Sequence, residues 1–63
     1  MRLYNLPTGH TIDLDQVIET GPLFVNKNYP LYNGYEIYLA NGSSVGVFDN
    51  DLPRASFLIE WQV

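Results

Sequence analysis

The spacing of apolar and polar residues along the chain predicts short β-strands joined by tight turns. In residues 11–14 the apolar side chains Ile12 and Leu14 alternate with polar ones, which is the period of two expected of a half-buried strand. Residues 3–6 precede this segment across the sequence Pro-Thr-Gly, and proline and glycine at such spacing favour a turn. The pattern therefore predicts a first hairpin between residues 3–6 and 11–14.

The middle of the chain predicts a helical turn, an interrupted strand and one long connection. Residues 13–17 can form a single helical turn, because their aspartate side chains can accept hydrogen bonds from free backbone amides. Residues 17–25 are extended but contain Gly21-Pro22. Since proline cannot donate to a strand ladder, we expect an edge strand or a bulge there. Residues 26–33, rich in Asn, Tyr and Pro, make the longest connection.

The clearest local prediction is a second hairpin in the centre of the chain. Residues 35–39 and 45–48 are rich in aromatic and β-branched side chains, and Asn41-Gly42 lies between them. An Asn-Gly pair between two such segments predicts a type I′ turn, in which both central residues have positive φ. We therefore expect a tight two-residue turn at Asn41-Gly42.

The C-terminal segment fits either of two elements. Asp51 and Pro53 make a helix-start pattern, with a capping carboxylate and a preset φ in the first turn. The apolar residues that follow nevertheless alternate, so that one face of a strand would carry Phe57, Ile59, Trp61 and Val63. We expect a helical turn over residues 51–55 followed by a strand, with a full helix as the alternative.

Together these elements predict one mainly β domain over residues 1–63. Their order resembles an SH3-like barrel, on the basis of the hairpin at 41–42, the turn at 52–55 and the final segment at 57–61. We expect a small antiparallel meander or SH3-like barrel with one or two short helical turns. The alternative is a four-stranded meander with a C-terminal helix. No functional residue carries over, because the aromatic segment of this chain falls at a different place from the SH3 peptide groove.

A second resemblance is to short β-meander proteins of phages and bacteria whose function is unknown. It rests on a pattern of leucines, glycines and turn residues, namely Leu6, Gly9, Leu14, Asp15, Val17, Leu39, Asn41 and Gly42. The resemblance implies a small β meander, which in some of these proteins ends in a helix.

Composition limits how the chain can be stabilised and what it can bind. The 63 residues include no cysteine and one histidine, and the net charge is −4. A domain of this size buries only about 60% of its unfolded surface. Because neither disulfides nor a structural zinc site can support it, we expect self-association. The three basic residues are scattered, so we expect no nucleic-acid partner.

The sequence also bears on localisation. No apolar segment approaches the roughly 20 residues that span a bilayer, and no secretory pattern is visible at the N-terminus. We therefore expect a cytoplasmic protein with no membrane partner.

The candidate chemistry argues against an enzyme, a metal site or a cofactor. His10, the only residue that titrates near neutral pH when unperturbed, lies in a predicted turn, and no Gly-x-Ser-x-Gly elbow accompanies it. Asp49 and Asp51 suggest a calcium loop, but the position that needs glycine is Arg54. We expect a non-catalytic protein without metal or cofactor.

The best candidate site is the aromatic region around the long connection. Tyrosine supplies a large contact area with a polar tip, which suits interfaces, and long loops in small domains are often functional. The residues expected to bind are Lys27, Tyr29, Tyr32, Asn33, Tyr35 and Arg54. A structural alternative is that Tyr35 or Tyr38 lies in the core and the loop tyrosines cover an open end of the domain.

Two kinds of partner fit this site. The first is another protein, which makes the chain a binding protein such as a phage or mobile-element inhibitor of a host factor. The second is a small anionic, nucleotide-like ligand held between subunits. Such a ligand would stack on Tyr29 or Tyr32 and place a phosphate against Lys27 or Arg54.

Overall fold

The computed structural model describes all 63 residues as two antiparallel sheets and one C-terminal helix. The first sheet pairs β1 (Leu3–Asn5) with β2 (Thr11–Asp13). The second sheet has β4 (Gly34–Leu39) at its centre, flanked by β3 (Val17–Thr20) and β5 (Ser44–Phe48). Short 3-10 turns lie at Leu14–Gln16 and Pro30–Tyr32, and the helix α1 spans Arg54–Gln62. The predicted mainly β fold is confirmed.

The barrel form of the prediction is wrong, because neither sheet closes on itself. β3 and β5 are the two open edges of the second sheet. A barrel would need a further strand to bridge these edges, and the segment expected to supply it is helical. The edge strand or bulge predicted for residues 17–25 is confirmed in its first half, since β3 is an edge strand whose register shifts between Val17 and Glu19. The strand ends at Thr20, and beyond Gly21-Pro22 only Phe24 forms an isolated bridge.

The predicted C-terminal strand is also wrong, and helical periodicity explains its apolar pattern. Phe57 is fully buried and Trp61, one helical turn later, packs against the core. Ile59 lies between them in sequence but is 65% exposed, as the spacing of a helix requires. The helix starts after Pro53, where the backbone N–H of Arg54 donates to Asp49 Oδ1 at 2.9 Å. The capping carboxylate is therefore Asp49 rather than Asp51.

The second hairpin is confirmed, but its turn differs from the prediction. The Leu39 N–H donates to the Ser43 carbonyl (2.9 Å) and the Gly42 N–H donates to the Leu39 carbonyl (3.0 Å). These bonds close a three-residue loop, Ala40–Gly42. Gly42 has φ of +90° and Asn41 does not have positive φ, so a single left-handed residue after a tight turn replaces the type I′ pair.

The first hairpin repeats this loop. The Leu6 N–H donates to the His10 carbonyl (2.7 Å) and the Gly9 N–H donates to the Leu6 carbonyl (3.0 Å). Gly9 has φ of +92°. Both hairpins therefore use the order Leu-x-x-Gly, in which leucine opens the loop and glycine supplies its one left-handed residue.

The core lies between the two sheets and the helix. Phe57 meets a ring from each sheet, Tyr4 of β1 at a centroid distance of 5.9 Å and Tyr35 of β4 at 6.4 Å. The buried hydrophobic residues are Leu6, Ile12, Leu14, Val17, Tyr35, Ile37, Val47 and Phe57. The helix thus holds together two sheets that are each too small to form a core alone.

Arg2 holds the end of the helix against the first sheet. Its Nη1 donates to the carbonyl oxygens of Trp61 (3.2 Å) and Val63 (3.3 Å), and its Nε donates to Asp15 Oδ1 at 2.7 Å. A cation at this position satisfies free carbonyls at the helix C-terminus. The same guanidinium lowers the pKa of the Asp15 carboxyl by hydrogen bonding.

The structure contains no helix with the length and apolar character needed to cross a membrane.

We expect Phe57→Ala to lower the free energy of unfolding by roughly 3–5 kcal/mol, because the change leaves a cavity where the sheets and the helix meet. Ile59→Ala should change it by no more than about 0.5 kcal/mol. Urea denaturation of both variants measures the difference. Equal losses of unfolding free energy in the two variants would indicate that Phe57 and Ile59 share one face of a strand, and would contradict the helix. Phe57→Leu supplies a milder change if the alanine variant does not fold.

Gly42→Ala should cost about 1–2 kcal/mol, because the hairpin loop needs a left-handed residue at this position. Gly46→Ala is the matched control, since Gly46 has no positive φ and a Cβ there meets no atom within 4 Å. Thermal denaturation of the two variants should separate them by several degrees. Equal melting temperatures would contradict the left-handed loop.

Candidate functional site

The second sheet leaves one face uncovered, and this face forms the main groove of the molecule. Successive side chains of a strand point to opposite faces. In β4, Tyr35 and Ile37 are buried in the core while Glu36 is exposed on the other side. The uncovered face carries a groove of about 470 Å³. We call it the aromatic groove: its floor is Gly34 and Gly46, and its walls are Phe24, Tyr32, Tyr38 and Phe48.

The floor of the aromatic groove is bare backbone because glycine occupies both positions. A Cβ on Gly34 would lie 2.6 Å from the Val47 carbonyl oxygen, so no other residue fits there without movement. Gly46 is different, because a Cβ there would meet no atom and would project into open space. The absence of side chains at both positions gives the groove its depth.

Backbone hydrogen bonds hold one wall in place. The Phe24 N–H donates to the Gly34 carbonyl (2.7 Å), and the Gly34 N–H donates to the Phe24 carbonyl (3.1 Å). This isolated bridge brings Phe24 back to the sheet after the chain leaves it at Gly21-Pro22. The ring of Tyr38 lies against Gly21, where a Cβ would be only 3.4 Å from the ring.

Two of the wall residues, Tyr32 and Phe48, are in ring contact, and Tyr32 also touches Tyr29 beside the groove. The ring of Tyr32 lies 6.0 Å from that of Phe48 and 5.9 Å from that of Tyr29, measured between centroids. The exposed fractions are 58% for Tyr32 and 66% for Phe24. Exposed apolar side chains that form a continuous patch are typical of binding surfaces, whereas isolated ones are not informative.

The long connection that carries Tyr29 and Tyr32 is ordered by its own asparagines. Asn26 Oδ1 accepts hydrogen bonds from the backbone N–H groups of Asn28 (3.0 Å) and Tyr29 (2.9 Å). Asn33 Oδ1 accepts from the Asn26 N–H at 2.6 Å. The 3-10 turn Pro30–Tyr32 lies inside this frame. The loop therefore presents its tyrosines in a defined arrangement.

The aromatic groove is electrostatically negative. Glu36 is the one carboxylate in its lining, and the lining contains no Lys, Arg or His. Glu19 of β3 pairs with Tyr38 across the sheet and adds a second negative charge nearby. The charge of Glu36 raises the pKa of the Tyr38 hydroxyl, with smaller effects from burial, from a hydrogen bond between the Tyr38 and Glu36 side chains, and from the charge of Glu19.

The structure places the predicted loop residues in three different settings. Tyr32 lines the aromatic groove, and Tyr29 lies beside it in a smaller hollow of about 280 Å³. Asn33 is half-buried and supports the loop, since its carbonyl also accepts from the Asp49 N–H. Lys27 is exposed and makes no ion pair within the chain.

Two further predicted residues are held by contacts within the fold. The hydroxyl of Tyr35, a residue that is otherwise buried in the core, donates to the Leu52 carbonyl oxygen at 2.8 Å. Arg54 is half-buried, and its Nε donates to the Gly21 carbonyl at 3.0 Å. The Tyr35 contact links β4 to Leu52, shortly before α1. The Arg54 contact links the first residue of α1 to Gly21, directly after β3.

Sequence reasoning missed Phe24, Glu36, Tyr38 and Phe48 as parts of the site. The alternation of β4 was a usable signal, because it puts Glu36 and Tyr38 on the face opposite Tyr35. No such signal existed for Phe24, which reaches the groove only through its bridge to Gly34.

The one histidine of the chain lies apart from the groove, whose lining contains Glu36 as its one acidic side chain. His10 is exposed in the first hairpin loop, where its Nδ1 lies 2.9 Å from Thr8 Oγ1 and no serine hydroxyl bonds to it. No group of three or more His, Asp or Glu side chains is arranged to hold a metal ion.

We expect Tyr35→Phe to cost about 1 kcal/mol at neutral pH, because it removes the hydrogen bond to the Leu52 carbonyl. Burial raises the pKa of Tyr35 from 10.0 to about 12. The folded state therefore retains the hydroxyl proton of Tyr35 up to a higher pH than the unfolded state does. The contribution of this pKa difference to the free energy of unfolding is fully present below pH 10 and is lost as the pH rises towards 12.

Urea denaturation across this alkaline range tests the assignment. The wild-type protein should lose stability more steeply than Tyr35→Phe, while Tyr29→Phe, a change at an exposed tyrosine, should follow the wild type. The same pH dependence in all three proteins would show that Tyr35 ionises as freely in the folded state as in the unfolded state.

Comparison of the chain with protein-family models, with curated proteins and with solved structures finds no match. The function proposed below is inferred from the shape and chemistry of the aromatic groove.

Proposed function

We propose that this protein is a non-catalytic binding protein that recognises another protein through the aromatic groove. The observation that carries the proposal is the continuous aromatic surface on the uncovered face of the second sheet. Tyr32 and Phe48 touch each other there while each remains about half exposed. Aromatic side chains that are ordered but unburied are the usual anchors of protein interfaces.

The order of the site supports protein recognition. The long connection is held by the asparagine hydrogen bonds, and Phe24 is held by its bridge to Gly34. A partner that docks on such a surface loses little conformational entropy in the site itself. The conformational entropy lost on binding is then mainly that of the partner.

The lining supports a polypeptide over the nucleotide-like ligand considered from the sequence. Cationic side chains are common phosphate ligands, and none lines the aromatic groove. Arg54 bonds to the lining residue Gly21 only at its carbonyl oxygen, to which Nε donates. An inhibitor of a host factor is one form of the proposed function, because such an inhibitor acts by occupying a protein surface. Self-association stays a prediction of the sequence.

Selection of random short peptides on the immobilised protein tests the proposal. The double variant Tyr32→Ser/Phe48→Ser should weaken binding of the selected peptides by at least about tenfold, because it removes two adjoining anchors. Fluorescence anisotropy of labelled peptides measures the affinity, and circular dichroism checks the fold.

Ile59→Ser is the matched control, since it removes an exposed apolar side chain from the helix, away from the groove. It should bind the selected peptides as the wild type does. Selected peptides that bind the double variant at full affinity, or a selection without any specific binder, would contradict the proposed function.

A further inference from the structure

The aromatic groove combines three features whose joint chemistry narrows the class of its partner. It has aromatic walls, a floor of bare backbone and a single negative charge without a cation in its lining. The proposed function explains the aromatic walls and the order of the site. It does not explain why the only formally charged lining residue, Glu36, lies in the middle of the uncovered face.

Glu36 is placed to act on a ligand. It follows the core residue Tyr35 along β4 and is exposed on the groove side. It makes no ion pair, since the salt bridges of the chain involve the N-terminal amine, Arg2 and Asp15. Its one partner in the groove is the neutral Tyr38 hydroxyl, whose pKa the charge of Glu36 and a hydrogen bond between the two side chains raise, so no cation of the chain neutralises this carboxylate.

A second carboxylate strengthens the negative potential at this end of the groove. Glu19 stands opposite Tyr38 in the β3–β4 pair, and Tyr38 is two residues from Glu36 on the same face. Both carboxylates raise the pKa of the Tyr38 hydroxyl, Glu36 more than Glu19. An acidic ligand would be repelled here, and the net charge of −4 adds to that repulsion.

The aromatic walls suit a cation as well. The face of an aromatic ring attracts an ammonium or guanidinium group placed over it, with about 0.5–1 kcal/mol at exposed sites and more when water is excluded. Phe24, Tyr32 and Phe48 supply such rings around the floor. Carboxylate and ring faces together therefore favour a cationic group over a neutral or acidic one.

The exposed apolar side chains around the groove favour a chain over a free small cation. A volume of about 470 Å³ lies within the range of sites that hold drug-sized ligands. The groove runs over the sheet between exposed apolar side chains, so residues beside a cation can also find contacts. Phe24, Tyr32 and Phe48 can pack against apolar neighbours in the same segment.

We propose, resting on the function proposed above, that the partner segment is a polypeptide stretch carrying a Lys or Arg side chain flanked by apolar residues. The cationic head lies against Glu36 and the aromatic walls hold the apolar flanks. Arginine is the stronger form of this ligand, because its planar guanidinium can bond a carboxylate and stack on a ring together.

The test uses the peptides selected on the wild-type protein, each synthesised in its selected form and with every Lys and Arg replaced by Gln. The selected peptides should be rich in Lys or Arg next to apolar residues. Replacement by Gln should weaken binding by about tenfold, and higher salt should weaken the selected form more than the Gln form.

Glycine amide signals in NMR spectra of the full chain locate the bound peptide. Gly21, Gly34 and Gly46 line the groove, whereas Gly9 and Gly42 lie in the hairpin loops. The selected peptides should shift the first three signals and leave the other two unchanged. Shifts at the hairpin loops alone would overturn the proposal, because they would show that cationic peptides bind an acidic surface elsewhere.

Two variants with the same change in net charge separate a local contact from a general attraction. Glu36→Gln should weaken the binding of the selected peptides by about fivefold. Glu60→Gln, on the exposed side of the helix, should leave the affinity unchanged. Equal losses in both variants would overturn the role of Glu36.

The outcomes also separate this inference from the proposed function. If selected peptides depend on Tyr32 and Phe48 but bind equally well as Gln forms, the cationic ligand is wrong and the protein-binding function stands. If no peptide depends on these residues, both are wrong. If the groove glycines shift with protein concentration alone, the occupant is a second copy of this chain, which overturns the cationic segment.

Discussion

Burial of Phe57 between the two sheets is the contact on which the rest of the structure depends. The first sheet has only two short strands and the second has three, so neither can form a core without another layer. Phe57 meets Tyr4 from one sheet and Tyr35 from the other, and it is fully shielded from water. The helix is therefore the element that turns two hairpins into one folded unit.

This arrangement also explains why one face of the second sheet remains uncovered. The helix and the first sheet cover the same side of the second sheet, where Ile37 and Val47 are buried. Within residues 1–63, none of the strands or the helix covers the opposite side. The uncovered face then carries the aromatic side chains and Glu36, with glycine at the floor.

Local patterns predicted the local structure well and the assembly less well. Both hairpins, the turn at Leu14–Gln16 and the edge strand before Gly21-Pro22 follow from residue spacing and turn chemistry. The C-terminal helix was only the alternative to a strand, because its residues also alternate, and packing against Tyr4 and Tyr35 decides that Phe57 is buried while Ile59 is not. For the candidate site, the composition of the loop predicted its tyrosines. It could not predict Phe24 and Phe48, because these two residues are brought together by the bridge of Phe24 to Gly34 and by the pairing of Gly34 with Phe48.

The two matching hairpin loops have a consequence for the order of folding. Each hairpin joins residues that are close in sequence, and isolated hairpins form in about 1–10 μs. Tyr4 and Phe57 come from opposite ends of the chain, so their contact closes a long loop at a large entropic cost. We expect the hairpins to form first and the helix to dock last. The glycine floor between β4 and β5 would then exist before the core is complete.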